Sequence, residues 1–336
     1  MAAVDAQRLM IKAARLYHSH GMRQTDIAKR LQISQSRVSR LLTQAEEAGI
    51  VRTVVAPPQT INAELEELVE NRYGVSEVHV IDVVSDDEGE LGRDLAHTTA
   101  VLLQEVAFEV PTIGFTSWSK TLRLMVDALQ PMRTNTARVV EMLGDLGPPD
   151  LQHEAARSTQ RLATLTGGQP KFLRTPGVVP SPEIRAVLLS RDAHAREAMQ
   201  MLDSIDLTLV GIGACEVDPV LRSGDNFFTD EQFDHMRSVG AVGEVCLHFL
   251  DADGAPMDAD LDDAVIGVTL EQLRNARRRW AVAGGVRKHE AVRAAVAGGW
   301  VDTLVTDSVT AAYLASGPEP KSQARQGSAE VVTVPA

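Results

Sequence analysis

A short polar stretch, residues 34–40, carries side chains that suit the reading of DNA. Glutamine can bond adenine in the major groove, arginine can bond guanine, and serine can bond phosphate or base edges. Five such residues fall on one predicted helix: Gln35, Ser36, Arg37, Ser39 and Arg40. Ser34 can cap that helix, because its hydroxyl can accept a backbone N–H of the first turn. The pattern predicts a recognition helix with a polar, basic outer face.

Residues 24–42 have the spacing of two short helices joined by a tight turn. Ala28 falls where a helix-turn-helix unit needs a small residue, because the two helices cross closely there, and Gln32 stands where many such units have glycine. The predicted core is formed by Ile27, Leu31, Ile33, Val38 and Leu41. A helical hairpin of purely structural use would not need a basic outer face, so DNA binding is the favoured interpretation. The remaining predicted DNA contacts are Gln24, Thr25 and Ser34.

Charge is divided unequally along the chain of 336 residues. The net charge of −13 seems at first to argue against a nucleic-acid partner. Residues 1–56, however, contain nine Lys/Arg and four Asp/Glu, a balance of +5, whereas the other 280 residues contain 24 and 42, a balance of −18. The N-terminal part is therefore the predicted contact with phosphate.

A loop that follows a predicted strand, residues 114–121 with the sequence GFTSWSKT, could bind an anion. A predicted helix begins at the end of this loop, so backbone N–H groups and hydroxyls can converge on a phosphate. The alternative is an ordinary capped helix start. The predicted binding residues here are Gly114, Thr116, Ser117, Trp118, Lys120 and Thr121.

Two further loops could complete such a site. In residues 283–288, paired glycines allow close backbone approach at Gly285, and Lys288 places an ammonium at the start of the next helix. In residues 240–244, Glu244 could accept hydrogen bonds from sugar hydroxyls. The alternatives are a surface turn with solvated charges for the first loop and pairing of Glu244 with a neighbouring arginine for the second.

The segment Gly211-Ile212-Gly213 also follows a predicted strand. The third glycine of a dinucleotide fingerprint is missing, because position 216 is glutamate. A tight turn beside a ligand cleft is therefore preferred for Gly213 over a nicotinamide site, and no cofactor is predicted.

The sequence gives little support for a metal site, a disulfide bond or a membrane-spanning helix. Cys215 and Cys246 lack CxxC spacing and lie in apolar surroundings, which predicts buried free thiols. The nine histidines lack HxxxH or HExxH spacing, and the segment 251–258 lacks the ligand pattern of a calcium loop. We therefore predict no catalytic residue and no metal site. No apolar run approaches about 18 residues, and the N-terminus is typical of an amphipathic helix, so a cytoplasmic location is expected.

Strand-like and helical stretches alternate after Pro57-Pro58, a stiff break in the chain. This alternation predicts an α/β fold whose mostly parallel sheet is covered on both faces, with ligands bound beyond the carboxyl ends of the strands. The expected organisation is an all-α helix-turn-helix DNA-binding domain at 1–56, a Rossmann-like effector-binding domain at 57–316 and a disordered tail at 317–336.

The element boundaries predicted from the pattern are as follows. In the N-terminal part they are a first helix at 6–20, a recognition helix that continues through 44–48, and an extended segment at 50–55. The predicted strands are 77–84, 112–115, 139–143, 207–212, 244–250, 280–283 and 303–306. The predicted helices between them are 91–107, 120–129, 154–166, 182–189, 193–202, 287–298 and 308–315.

Six segments, by their order and spacing, resemble the SorC family of bacterial sugar-binding transcriptional regulators over nearly all of the chain up to about Leu314. They are SQSRVSRLLTQAEEAGIV, GFTSWSKTL, DLTLVGIG, GAVGEVCLHFLDADG, VIGVTLEQLR and AVAGGVRKHEAVRAAVAGGWVDTLVTDSVTA. The resemblance implies an effector domain with the fold of sugar-phosphate isomerases and glucosamine-phosphate deaminases that acts as a sensor. It also implies dimers or tetramers, and a response to sugars, sugar alcohols or their phosphates.

The resemblance also implies roles for single residues. Glu244 and Lys288 match the carboxylate and lysine of the family's pocket, although Glu244 replaces a commoner aspartate. Ser119 stands where the family often has glycine after the tryptophan. The contacts to the effector's phosphate or hydroxyls are carried over to Thr116, Ser117 and Thr121.

The leading hypothesis is a regulator of a carbohydrate or polyol catabolic operon. Its expected partners are double-stranded operator DNA, a sugar, polyol or sugar-phosphate effector, and further copies of itself in a homodimer or homotetramer. One alternative is a sugar-phosphate isomerase with a DNA-binding appendage, in which Glu244 is the base beside Lys288. No second positioned acid supports that alternative. A nicotinamide-sensing redox repressor is disfavoured by the missing third glycine.

Overall fold

The computed structural model describes residues 2–51, 62–83, 87–106, 110–218, 220–257 and 259–318. The chain divides into two compact units, Met1–Pro57 and Pro58–Ala336. Most of the predicted extended segment 50–55, and the predicted tail beyond Pro318, lie outside the described residues.

The described residues of the N-terminal unit form three α-helices: α1 (Ala2–Ala14), α2 (Gln24–Leu31) and α3 (Gln35–Glu47). The predicted single helix over 6–20 is corrected in one respect, because the chain continues from α1 into a π-helical segment, Arg15–Ser19. The wider turn shifts the side chains that follow Ala14 out of helical register. Tyr17, which lies in this segment, is 39% exposed.

The turn between α2 and α3 has the predicted geometry. Gln32 ends α2 in the left-handed region at φ 56°, where many such units place glycine. The Ser34 hydroxyl accepts a hydrogen bond from the backbone N–H of Arg37 at 3.3 Å, which confirms the predicted cap. Of the predicted core, Leu31 and Ile33 are only partly buried, and the buried side chains are Ala13, Ala14, Leu16, Ile27, Ala28, Val38, Leu41, Leu42 and Ala45.

The second unit is built on a mostly parallel sheet, as predicted. Its described strands are β1 (Glu77–Ile81), β2 (Thr112–Phe115), β3 (Arg138–Glu141), β4 (Gln169–Lys171), β5 (Leu207–Ala214), β6 (Ala241–Val245), β7 (His248–Asp251), β8 (Arg278–Val282) and β9 (Thr303–Asp307). Seven of these strands are parallel neighbours in the order β1-β9-β8-β5-β2-β3-β4. The end of β5 pairs antiparallel with β6, and β6 pairs antiparallel with β7.

Helices cover both faces of this sheet. They are α4 (Ala63–Tyr73), α5 (Glu88–Val106), α6 (Lys120–Ala128), α7 (Pro149–Thr166), α8 (Pro182–Arg191), α9 (Ala193–Met201), α10 (Asp230–Ser238), α11 (Ala259–Asp262), α12 (Leu270–Asn275), α13 (His289–Ala297) and α14 (Ser308–Ser316). Successive strand residues face opposite sides of a sheet. Leu209 and Val210 accordingly belong to different buried clusters, and so do Trp280 and Ala281.

The order of the strands reverses between β2 and β5. From β2 the chain adds β3 and β4 on one side, and from β5 it adds β8 and β9 on the other. The two strands pair in parallel, with Ile113 opposite Leu207 and Phe115 opposite Leu209. In open α/β sheets, ligands bind in the crevice that such a reversal leaves beyond the carboxyl ends of the strands.

One predicted strand, 244–250, is wrong, because this segment folds into the hairpin of β6 and β7. Cys246 and Leu247 form its turn with φ of 53° and 67°. Such two-residue turns usually contain Asn-Gly or Asp-Gly, so an apolar pair gave no signal of a turn. The predicted helix 287–298 begins as a 3₁₀ turn, Val286–Lys288. The pattern also missed α4, β4, α10, α11 and α12.

Candidate functional site

A cavity of about 430 Å³ opens where the strand order reverses. Its walls are formed by residues of 116–121 after β2, of 211–218 at the end of β5, and of 283–288 after β8. The β6–β7 hairpin contributes Glu244, Cys246 and Leu247. The three loops that the sequence singled out therefore meet at one place.

Eight of the ten predicted effector residues line this cavity: Thr116, Trp118, Lys120, Thr121, Gly213, Glu244, Gly285 and Lys288. Gly114 and Ser117 do not. Gly114 is buried within β2, where a Cβ would come within 2.7 Å of the Met142 sulfur, so its lack of a side chain serves packing. Ser117 is also buried.

The loop after β2 is held by bonds to its neighbours. The backbone N–H and the hydroxyl of Thr116 both donate to the Leu209 carbonyl oxygen, at 3.1 and 3.0 Å. The Thr116 proton is thus engaged in tying the loop to β5. Ser119 caps α6 by accepting from the Leu122 N–H at 3.3 Å. Lys120, at the start of α6, is exposed.

Arg123, which no sequence pattern identified, stabilises this loop through hydrogen bonds to its backbone. One guanidinium nitrogen, Nη1, donates to the carbonyl oxygens of Ser117 and Trp118 at 3.2 and 2.9 Å. Burial lowers the pKa of the Arg123 guanidinium. Two carbonyls are thereby directed towards Arg123, which fixes the path of the loop. No local pattern distinguishes this arginine from others on a helix.

A buried carboxylate positions the glycine turn after β8. Asp307, fully buried at the end of β9, accepts from the Gly285 N–H at 2.7 Å and from the Thr310 hydroxyl at 2.7 Å. A Cβ at Gly284 would lie 2.2 Å from the same carboxylate, and Gly285 has a φ of 91°. Both glycines are therefore required for the turn to rest on Asp307 and to bring Lys288 to the cavity.

Glu244 and Lys288 place opposite charges on the cavity wall. The Glu244 Oε2 accepts from the Leu247 N–H at 2.6 Å and so closes the hairpin turn. Burial raises the pKa of Glu244, and burial lowers the pKa of Lys288, while the attraction between the two charges opposes both shifts. No carboxylate of the described residues lies within ion-pair distance of the Lys288 ammonium. The ammonium is thus available to a ligand.

The rim of the cavity carries a charged cluster that the sequence analysis also missed. Arg287 pairs with Glu88 at 3.4 Å and with Glu216. These residues belong to the start of α5, the segment after β5 and the turn after β8. The cluster is exposed, so it adds little to stability.

In the N-terminal unit, the predicted DNA contacts lie on the surface. Gln24 is partly buried, and the exposed members are Thr25, Ser34, Gln35, Ser36, Arg37, Ser39 and Arg40. Val38, on the other side of α3, is fully buried. The Arg40 Nε donates to the Ser36 carbonyl oxygen at 3.4 Å. The helix therefore presents one continuous polar and basic face.

Within the described residues, His, Cys, Asp and Glu side chains form no group of three that could hold a metal ion. Cys215 and Cys246 are free and buried, as predicted. None of the helices described is both long enough and apolar enough to cross a membrane.

Comparison with known proteins places the chain in a family. Residues 58–316, more than half of the chain, match the family described as "Putative sugar-binding domain". Residues 14–72 match the MarR family. A crystal structure of the full-length sorbitol operon regulator SorC from Klebsiella pneumoniae superimposes with a TM-score of 0.70 at 26% identity, covering 92% of this chain and 98% of that one. The chain belongs to the SorC family of sugar-binding transcriptional regulators.

Two SorC-family relatives align with nearly the whole length of this chain. The deoxyribonucleoside regulator of Bacillus subtilis is 30% identical over 311 residues, which cover 92% of this chain and 98% of the relative. The sorbitol operon regulator of Klebsiella pneumoniae is 29% identical, with the same coverage of both chains. The protein is accordingly a DNA-binding transcriptional regulator with a sugar-binding domain, and the enzyme alternative is not supported.

The contact between Gly213 and Glu244 can be tested by a double-mutant cycle. A Cβ at Gly213 would lie 1.9 Å from the Glu244 Oε1. Gly213→Ala is therefore expected to cost roughly 1–3 kcal/mol of unfolding free energy through overpacking. In a Glu244→Ala background the same change is expected to cost almost nothing, because the clashing group is gone.

The measurement is denaturant unfolding followed by tryptophan fluorescence. All three tryptophans, at positions 118, 280 and 300, belong to the second unit, so the signal reports on that unit. Equal costs of Gly213→Ala in the two backgrounds would show that Glu244 does not lie against Gly213.

Proposed function

We propose that unit 1–56 binds operator DNA through the exposed face of α3, and that the cavity in 57–316 binds a small sugar, polyol or sugar-phosphate effector. The observation that carries the proposal is that the Lys288 ammonium, which has no ion-pair partner among the described residues, and the Glu244 carboxylate both line the cavity at the strand-order reversal. A phosphorylated polyol has a phosphate, which an ammonium can bind, and hydroxyl groups, which can donate to a carboxylate.

The start of α6 supports an anionic group on the effector. The first N–H groups of a helix have no partner within the helix, and the helix dipole favours negative charge there. At α6 these are the N–H groups of Lys120 and Thr121, both of which line the cavity. Lys120 adds a second ammonium to the same wall. The Thr121 hydroxyl adds a donor.

Control of DNA binding follows from linkage. An effector that binds two arrangements of the protein with different affinity shifts the equilibrium between them, and DNA affinity changes by the same coupling. We propose a homodimer or homotetramer in the cytoplasm, whose paired recognition helices contact half-sites about 34 Å apart or at multiples of that distance. The names of the two relatives support control of an operon for carbohydrate or polyol catabolism.

DNA binding through α3 predicts a specific effect of arginine substitutions. Arg37→Ala and Arg40→Ala are each expected to weaken operator binding by roughly 1–3 kcal/mol, or about 5- to 150-fold, because each removes a base contact. Fluorescence anisotropy at one fixed salt concentration measures the loss. Arg15→Ala is the matched control, since Arg15 is exposed but lies outside α3. Operator affinities equal to that of the unsubstituted protein for both α3 variants would refute this assignment.

Effector binding in the cavity predicts ligand-dependent thermal stability. A screen of sugars, polyols and their phosphates is expected to yield a compound that stabilises the second unit by about 2.7 kcal/mol at a hundred times its Kd. Lys288→Ala is expected to abolish that stabilisation, because the ammonium contacts the anionic group. Lys171→Ala is the control, since Lys171 pairs with Glu197 at 3.6 Å and lies outside the cavity. Undiminished stabilisation in Lys288→Ala would place the ligand elsewhere.

A further inference from the structure

One wall of the cavity is apolar. Trp118, Val217, Leu221 and Phe227 all line the cavity, and each is only partly buried, so apolar surface remains open to a ligand. All four pack against the same core cluster, on one face of the sheet. We call these four residues the apolar wall, and they are distinct from the polar residues Glu244 and Lys288.

Buried aromatic side chains pack against the apolar wall. The Phe227 ring has its centroid 5.7 Å from that of Phe233 and 6.2 Å from that of Phe228. Phe233 in turn packs edge-on against Phe249, which is fully buried. A preformed aromatic surface of this kind loses little conformational entropy when a ligand covers it.

Trp118 is held in the wall through its own backbone. Its carbonyl oxygen accepts from Arg123 at 2.9 Å, which fixes the position of the residue on the loop. The indole Nε1–H is buried and has no hydrogen-bond partner among the described residues. Buried indole N–H groups normally have a partner. Trp118 thus offers a ligand the exposed part of its apolar ring.

A bare sugar phosphate would leave most of this wall without an apolar partner. Apolar surface contributes to affinity only when apolar ligand surface covers it and water is released. Binding cavities generally combine such surface with a few polar groups that fix orientation. Here Lys288, Glu244 and Thr121 are among the polar groups, and the four residues of the wall contribute apolar surface.

Resting on the proposed function, we propose that the effector is a phosphorylated glycoside with an apolar aglycone. The phosphate and hydroxyl groups bind at Lys288, Glu244 and the start of α6. The aglycone contacts Trp118 and Phe227. This assignment narrows the effector from sugars in general to sugar phosphates that carry an aromatic or alkyl substituent.

Two matched pairs of compounds test the assignment. They are the methyl and phenyl β-D-glucoside 6-phosphates and the methyl and phenyl β-D-riboside 5-phosphates, each titrated into the full chain by calorimetry. We expect the phenyl member of at least one pair to bind at least tenfold more tightly than its methyl counterpart. Phe227→Ala is expected to reduce that ratio to about threefold or less, while the Kd of the methyl compound stays within about threefold.

Three further variants complete the design. Leu221→Ala repeats the test at a second position of the apolar wall, in case Phe227→Ala does not fold. Phe172→Ala, which removes an aromatic ring that lies beneath Arg174 and outside the cavity, is expected to leave the ratio unchanged. Lys288→Ala is expected to weaken both members of a pair equally.

Equal affinity for the methyl and phenyl members would overturn the assignment, and so would a phenyl preference that survives both wall substitutions. In either case a sugar phosphate still binds at Lys288, and the proposed function stands. If neither pair binds at all, the assignment is overturned, and the thermal screen with Lys288→Ala decides the proposed function separately.

Discussion

The parallel pairing of β2 with β5, at the place where the strand order reverses, is the constraint on which the site depends. The chain continues from β2 to strands on one side of this pair and from β5 to strands on the other side. The two connections therefore diverge, and a crevice opens beyond Phe115 and Ala214. The loops after β2, β5 and β8 meet at this crevice. A cavity at this edge is therefore a consequence of topology, and the side chains decide only what it binds.

Internal polar groups then fix each loop. Arg123 bonds the carbonyls of the first loop, Asp307 bonds the glycine turn, and Glu244 bonds the turn of the hairpin. Each of these groups satisfies backbone atoms that would otherwise be costly to bury. Lys288 differs from them, because it has no carboxylate within ion-pair distance in the described part of the chain. The Lys288 ammonium is therefore left for the ligand.

Local features were predictable from the sequence, and non-local ones were not. The α2–α3 unit depends on spacing and on the Ser34 cap, both of which lie within a few residues of one another. The role of Asp307 depends on β9 lying beside β8, which no local pattern encodes. The apolar wall unites Trp118 with Phe227, which are distant in sequence, and the β6–β7 turn has an apolar pair in place of glycine.

The central claim is that a ligand bound in the cavity changes the affinity of the N-terminal unit for DNA. It is tested most directly by measuring the Kd for a labelled operator fragment with and without a saturating sugar phosphate that stabilises the second unit. We expect a change of at least fivefold, within the range of about 1–3 kcal/mol typical of allosteric coupling, and no change in Lys288→Ala. The same Kd for the unsubstituted protein with and without the ligand would contradict the claim.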